Sequence, residues 1–143
     1  MKKYLLAIAV ILVFAIGFAA SGDSSSFDEA GYNYVVNHLN SPSSAKMISY
    51  INKSKLRSYA KENWNFTYSS NLDFEQYDIE AMNGFGGMVR EDFTVVFWKG
   101  KPVFMDNSSV YLLLSTPESR TQLSFMLDYN CGLSSEQIDF KSN

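Results

Sequence analysis

The sequence predicts one α+β domain in which an N-terminal helix packs across an antiparallel sheet and a second helix closes the C-terminal end. Three observations carry this. Apolar residues from Phe27 to Leu39 recur at three- and four-residue intervals. Residues 77–81 and 93–98 alternate with period two on either side of a glycine-rich break. Thr116, Pro117 and Glu118 stand before an apolar-periodic stretch in the order of a helix start. At 143 residues, 15% of them aromatic, the chain has material for one core and lacks the composition of a disordered segment.

Residues 1–21 read as an export signal. Lys2 and Lys3 form a positive start, Tyr4 to Ala20 carry no charge, and Ala19, Ala20, Ser21 and Gly22 supply small residues for cleavage. Cutting after Ser21 or after Gly22 places small side chains at both recognition positions; cutting after Ala20 would place Phe18 at one of them. The alternative is an uncleaved anchor, because 17 apolar residues stand at the lower limit of a bilayer span. Ser21 occupies the position where a lipid-anchored chain needs Cys. Residues 22–26 are a polar, Ser-rich linker, and residues 27–143 form the domain.

Within the domain, Asp28 and Glu29 suit the first turn of the helix Phe27–Leu39, and Asn40, Ser41 and Pro42 end it. Met47 to Ile51 predict a strand. Lys53 to Ser70 predict a short helix leading into a strand, through Leu56, Tyr59, Ala60 and Trp64, then Trp64, Phe66 and Tyr68. Tyr77, Ile79 and Ala81 alternate with Asp78 and Glu80, the pattern of a strand with one wet face. Asn83, Gly84, Phe85, Gly86 and Gly87 form a structural turn, in which at least one glycine takes a conformation costly to other residues. Phe93 to Trp98 make a strand apolar on both faces. Lys99 to Lys101 turn tightly, and Pro102 to Met105 return. Asn107 to Ser109 turn the chain into the apolar run Val110–Leu114. Thr116 caps the last helix, whose apolar side is Leu123, Phe125, Met126, Leu127 and Tyr129, and Gly132 suits its end. The tail is polar apart from Ile138 and Phe140.

Charge excludes two classes of partner. Without Lys2 and Lys3 the mature part has ten basic and fifteen acidic residues, scattered and with no basic run. Nucleic acid and an anionic membrane surface are not expected partners.

The residues also argue against acid-base and nucleophile chemistry. His38, the only histidine, lies on a face with Tyr34 and Val35 and is expected to be partly buried packing. Cys131 cannot form an intrachain disulfide and is expected to be a small buried hydrophobe. A Cys131–His38 dyad would join opposite ends of the chain. Asp78, Glu80, Glu91 and Asp92 would bind a hard cation if the strands brought them together, but calcium-loop spacing is missing and Arg90 stands among them. The expected role is a solvated sheet face. No nucleophile-elbow motif surrounds any serine, and the glycines lack the Lys-Ser or Lys-Thr of a phosphate loop. Asn52, Asn65 and Asn107 begin Asn-x-Ser/Thr sequons. No catalytic residue, metal ligand or cofactor is predicted.

Two stretches, VVNHLNSPSSAK (Val35 to Lys46) and YDIEAMNGFGGMVREDFTVVF (Tyr77 to Phe97), resemble small exported or lipid-anchored domains of Gram-positive bacteria and their phages. The resemblance implies a cystatin-like or NTF2-like fold, a helix on a curved antiparallel sheet. It implies location at the cell envelope and assigns no chemistry, and a bacterial source argues against use of the sequons. The missing anchor Cys and the insertion Lys53 to Asn71 depart from the pattern. The function expected is a non-catalytic binding or interaction module whose partner is another protein or envelope component, with membrane contact only through an uncleaved N-terminal segment. The alternatives are a membrane-anchored accessory protein, or an enzyme using the concave face of the sheet as a pocket.

Overall fold

A computed structural model describes residues 29–143. The predicted signal (1–21), the linker (22–26) and the first two positions of the predicted helix lie outside the described residues.

Helix α1 (Glu29–Val36) is shorter than the spacing predicts. From His38 the backbone bonds reach back three residues, His38 N–H to Val35 and Leu39 N–H to Val36, so the chain leaves the helix before His38. A 3-10 turn over Pro42–Ser44 leads to strand β1 (Lys46–Ile51). Asn52 then caps helix α2 (Lys53–Asn63), its side-chain oxygen accepting from Lys55 N–H at 2.8 Å. A short strand β2 (Phe66–Thr67) follows. Strands β3 (Leu72–Met82) and β4 (Met88–Trp98) are eleven residues each and pair along their whole length. Lys99 and Gly100, both at positive φ, turn β4 into β5 (Lys101–Asp106).

The run Val110–Leu114 is a short helix, α3, because the Ser109 hydroxyl caps it by accepting from Leu112 N–H. Helix α4 (Pro117–Cys131) starts at a capping box between Thr116 and Ser119 and ends at Gly132, φ +67°. The tail is more structured than its polarity predicts. Ser134 and Gln137 cap a turn of helix, α5 (Ser135–Ile138), and β6 (Lys141–Ser142) pairs with β2.

The fold is α+β, with an antiparallel sheet in the order β1-β3-β4-β5 and helices on both faces. On one face α1 covers Tyr77, Ile79, Phe93, Val95 and Phe97 through Val35. On the other, α2, α3, α4 and α5 enclose a larger core around Phe66, Phe74, Val96, Leu123 and Leu127. This corrects the wet face expected of β3. Leu72, Phe74, Gln76 and Asp78 are buried on that side because the helices after β5 fold back over it. The apolar side predicted for α4 is also corrected. Leu123 and Leu127, one turn apart, are fully buried, whereas Phe125 is 70% and Tyr129 91% exposed. Phe125 is two residues beyond Leu123, about 200° around a helix, and so faces away from the core.

Helix α1 sits close to the sheet. A Cβ on Gly31 would fall 2.3 Å from the Tyr77 hydroxyl and 2.7 Å from the Phe97 ring, so only glycine permits this approach. The space between α1 and the sheet is filled, with Tyr77 and Phe97 fully buried.

Candidate functional site

At one end of the sheet the tip of the β3–β4 hairpin, Met82 to Met88, is largely exposed. Residues directly opposite in an antiparallel ladder share a face, so Asp78 stands beside Asp92, Glu80 beside Arg90 and Met82 beside Met88. Beyond them the chain turns at Asn83–Gly87. The Asn83 side-chain oxygen accepts from Phe85 N–H at 2.9 Å and Gly87 N–H at 3.0 Å. Gly86 takes φ +84°, where a Cβ is disfavoured; Gly84 and Gly87 do not. The turn presents Phe85 wholly to solvent, with Met82 and Met88 40% and 53% exposed behind it. On the α1 face, a groove of about 290 Å³ runs between Leu39–Asn40 and the hairpin, floored by Ile79, Ala81, Val89 and Phe93.

Further down the hairpin lies a buried charged cluster. Asp78 is 2% exposed and takes both contacts of the Arg90 fork, Nε lying 2.9 and 3.0 Å from its two oxygens and Nη2 closing the pair. Asp92, 6% exposed, has no hydrogen-bond partner among the described residues. Burial, and next the adjacent Asp78 charge, push its pKa up to about 7; Arg90 partly opposes this. Near neutral pH this carboxyl group is therefore partly protonated.

The expected solvated sheet face is corrected accordingly, because Asp78 and Asp92 are buried. Glu91 cannot join them. It points to the opposite face, where it accepts from Asn107 Nδ2 at 2.8 Å. Among the described residues no three His, Cys, Asp or Glu side chains are grouped to hold a metal, and the Arg90 fork already satisfies Asp78.

His38 is exposed rather than packed. Its Nδ1 lies 2.6 Å from the Tyr34 carbonyl, and its ring rests 4.8 Å from that of Tyr34. The early end of α1 accounts for this. Cys131 is half-buried at the end of α4, its Sγ 3.6 Å from the Val103 carbonyl, and burial raises the thiol pKa. It packs with the helical layer, on the other side of the sheet from α1, so the two residues make no dyad.

Two arginines in this domain had no motif to mark them. Arg57 binds the carbonyls of Tyr68 and Ser69 at 3.0 and 3.1 Å, that of Leu72, and Asp73 at 3.1 Å. Arg120 is 6% exposed beneath α4. Their only signal in the sequence is a cation within an apolar-periodic helix.

Compared with known proteins, the chain matches no family model, no curated protein and no solved structure.

Proposed function

We propose that the chain is an exported, non-catalytic interaction module of the cell envelope that engages a partner protein through the tip of the β3–β4 hairpin. The observation that carries this reading is Phe85, wholly exposed on an ordered turn with Met82 and Met88 behind it. An aromatic anchor backed by adaptable methionines suits insertion into an apolar pocket of a partner. The filled space directly beneath α1, around Tyr77 and Phe97, supports surface recognition over a substrate pocket there.

The direction of the chain supports a partner beyond the domain. It enters at Glu29, Gly31 packs at mid-sheet on Tyr77 and Phe97, and Asn40 arrives beside Gly84. Glu29 and the hairpin tip are therefore at opposite ends of α1. The kinship with cystatin-like or NTF2-like domains, with their curved sheet, belongs to the same proposal, as does a bacterial source.

A photo-reactive residue at position 88, beside the tip, should cross-link one partner in native envelope. Phe85→Ser should abolish that capture without lowering the melting temperature, while Tyr129→Ser, at another highly exposed aromatic on α4, should leave it intact. Capture that survives Phe85→Ser, or that Tyr129→Ser also destroys, overturns the assignment. Export is tested separately by N-terminal sequencing of the extracytoplasmic product, expected to begin at Gly22 or Asp23. A product retaining Met1 in the membrane fraction replaces cleavage with anchoring.

A further inference from the structure

Arg120 is a buried cation whose donors are mostly unused. It lies in the first turns of α4, 6% exposed, with Nη1 donating to the Leu114 carbonyl at 2.7 Å and its guanidinium 4.1 Å from the Phe66 ring centroid. A guanidinium has five N–H donors. Among the described residues no other hydrogen bond and no ion pair engages it. A desolvated charge without a direct ion-pair partner is costly, and one carbonyl and one ring offset only part of that cost.

Arg120 lines a groove of about 420 Å³ between α4, α5 and the C-terminal strand, a size suited to a small molecule or a peptide end. Ser124 and Ser135 also line it, and neither hydroxyl has a partner among the described residues. Phe125, 70% exposed, and the half-buried Phe140 supply aromatic walls. Among the described lining residues Arg120 is the only cation and Asp128 the only acid. Glu118 adds a second negative charge close to Arg120.

We infer that this groove binds a monocarboxylate with an aromatic or branched apolar body, its carboxylate on Arg120 and its body against Phe125 and Phe140. One guanidinium pairs with a single carboxylate, and the nearby acids Glu118 and Asp128 disfavour any larger negative charge. The planar fork matches a carboxylate, and neutral serine hydroxyls satisfy the remaining lone pairs. The site lies on α4 and the C-terminal tail, remote from the hairpin tip, and so stands or falls independently of that surface.

The probe is N-acetyl-phenylalaninate, titrated into the full chain while the backbone amide resonances of Thr121, Ser124 and Ser135 are followed. Saturable shifts are expected there, with affinity at least about tenfold above that of the neutral N-acetyl-phenylalaninamide, since the charge-assisted fork is lost with the amide. Phe125→Ala, at an exposed position, should weaken binding several-fold without altering the melt. Arg120→Gln should abolish it; should that variant fail to fold, the amide comparison and Phe125→Ala decide. No saturable shift, equal affinity for the amide, or inorganic phosphate binding as tightly at these resonances overturns the assignment.

Discussion

Asp92 makes the stability of the domain depend on pH in an unusual direction. Its carboxyl group titrates near 7 when folded and near 4 when unfolded. Between those values the folded chain holds a proton that the unfolded chain has lost. Stability from this group is therefore complete below pH 4 and declines as pH rises to 7, by about 1.4 kcal/mol per pH unit at most. Asp92→Asn removes the titrating group and keeps the shape. We expect the variant to melt above the parent at pH 8, with the gap closing by pH 4. Melting curves across that range check this, and parallel curves for the two proteins contradict it. Gly86 is the second residue whose environment decides its cost. Its φ of +84° makes Gly86→Val costlier than Gly84→Val or Gly87→Val, by about 1 kcal/mol or more in denaturant titrations. Three equal variants would show that the turn is held some other way.

At the scale of elements, a single side chain joins α2 to the start of β3. Arg57 binds Asp73 and carbonyls of the connection between β2 and β3, and lies 4.2 Å from the Tyr68 ring centroid. These contacts order the chain from Tyr68 to Leu72 with little regular structure of its own. Arg57→Lys supplies the charge but not the planar fork that reaches several oxygens together. We expect both Arg57→Ala and Arg57→Lys to raise amide exchange in residues 68–72, with Arg57→Ala the larger effect. Exchange unchanged in both variants would mean that the loop is held by Tyr68 and the turn alone. Helices and hairpins with local signals were legible before the fold was known. Thr116, Pro117 and Gly132 mark α4 by capping, and Lys99-Gly100 marks the β4–β5 turn by its need for positive φ. The run Val110–Leu114 was ambiguous because five apolar residues suit a strand or one helical turn equally well.

Across the whole molecule, local periodicity and capping determined which segments are helices and strands, where the hairpins turn, and that the architecture is α+β. Those features depend on neighbours within four residues, so sequence order is enough to read them. Only the tertiary structure decided which faces are buried. The layer α2–α5 folds over β3 and β4 and converts an alternating strand into one buried on both sides, taking Asp78 and Asp92 out of water with it. It also turned Phe125 and Tyr129 outward and left Arg120 buried with no ion pair among the described residues. Burial of a charge depends on what arrives from distant parts of the chain. Arg120 stands at the edge of a groove made with a tail more than ten residues away in sequence, and Asp92 next to a carboxylate fourteen residues earlier across a hairpin. No local pattern encodes those meetings, because each is settled by long-range packing.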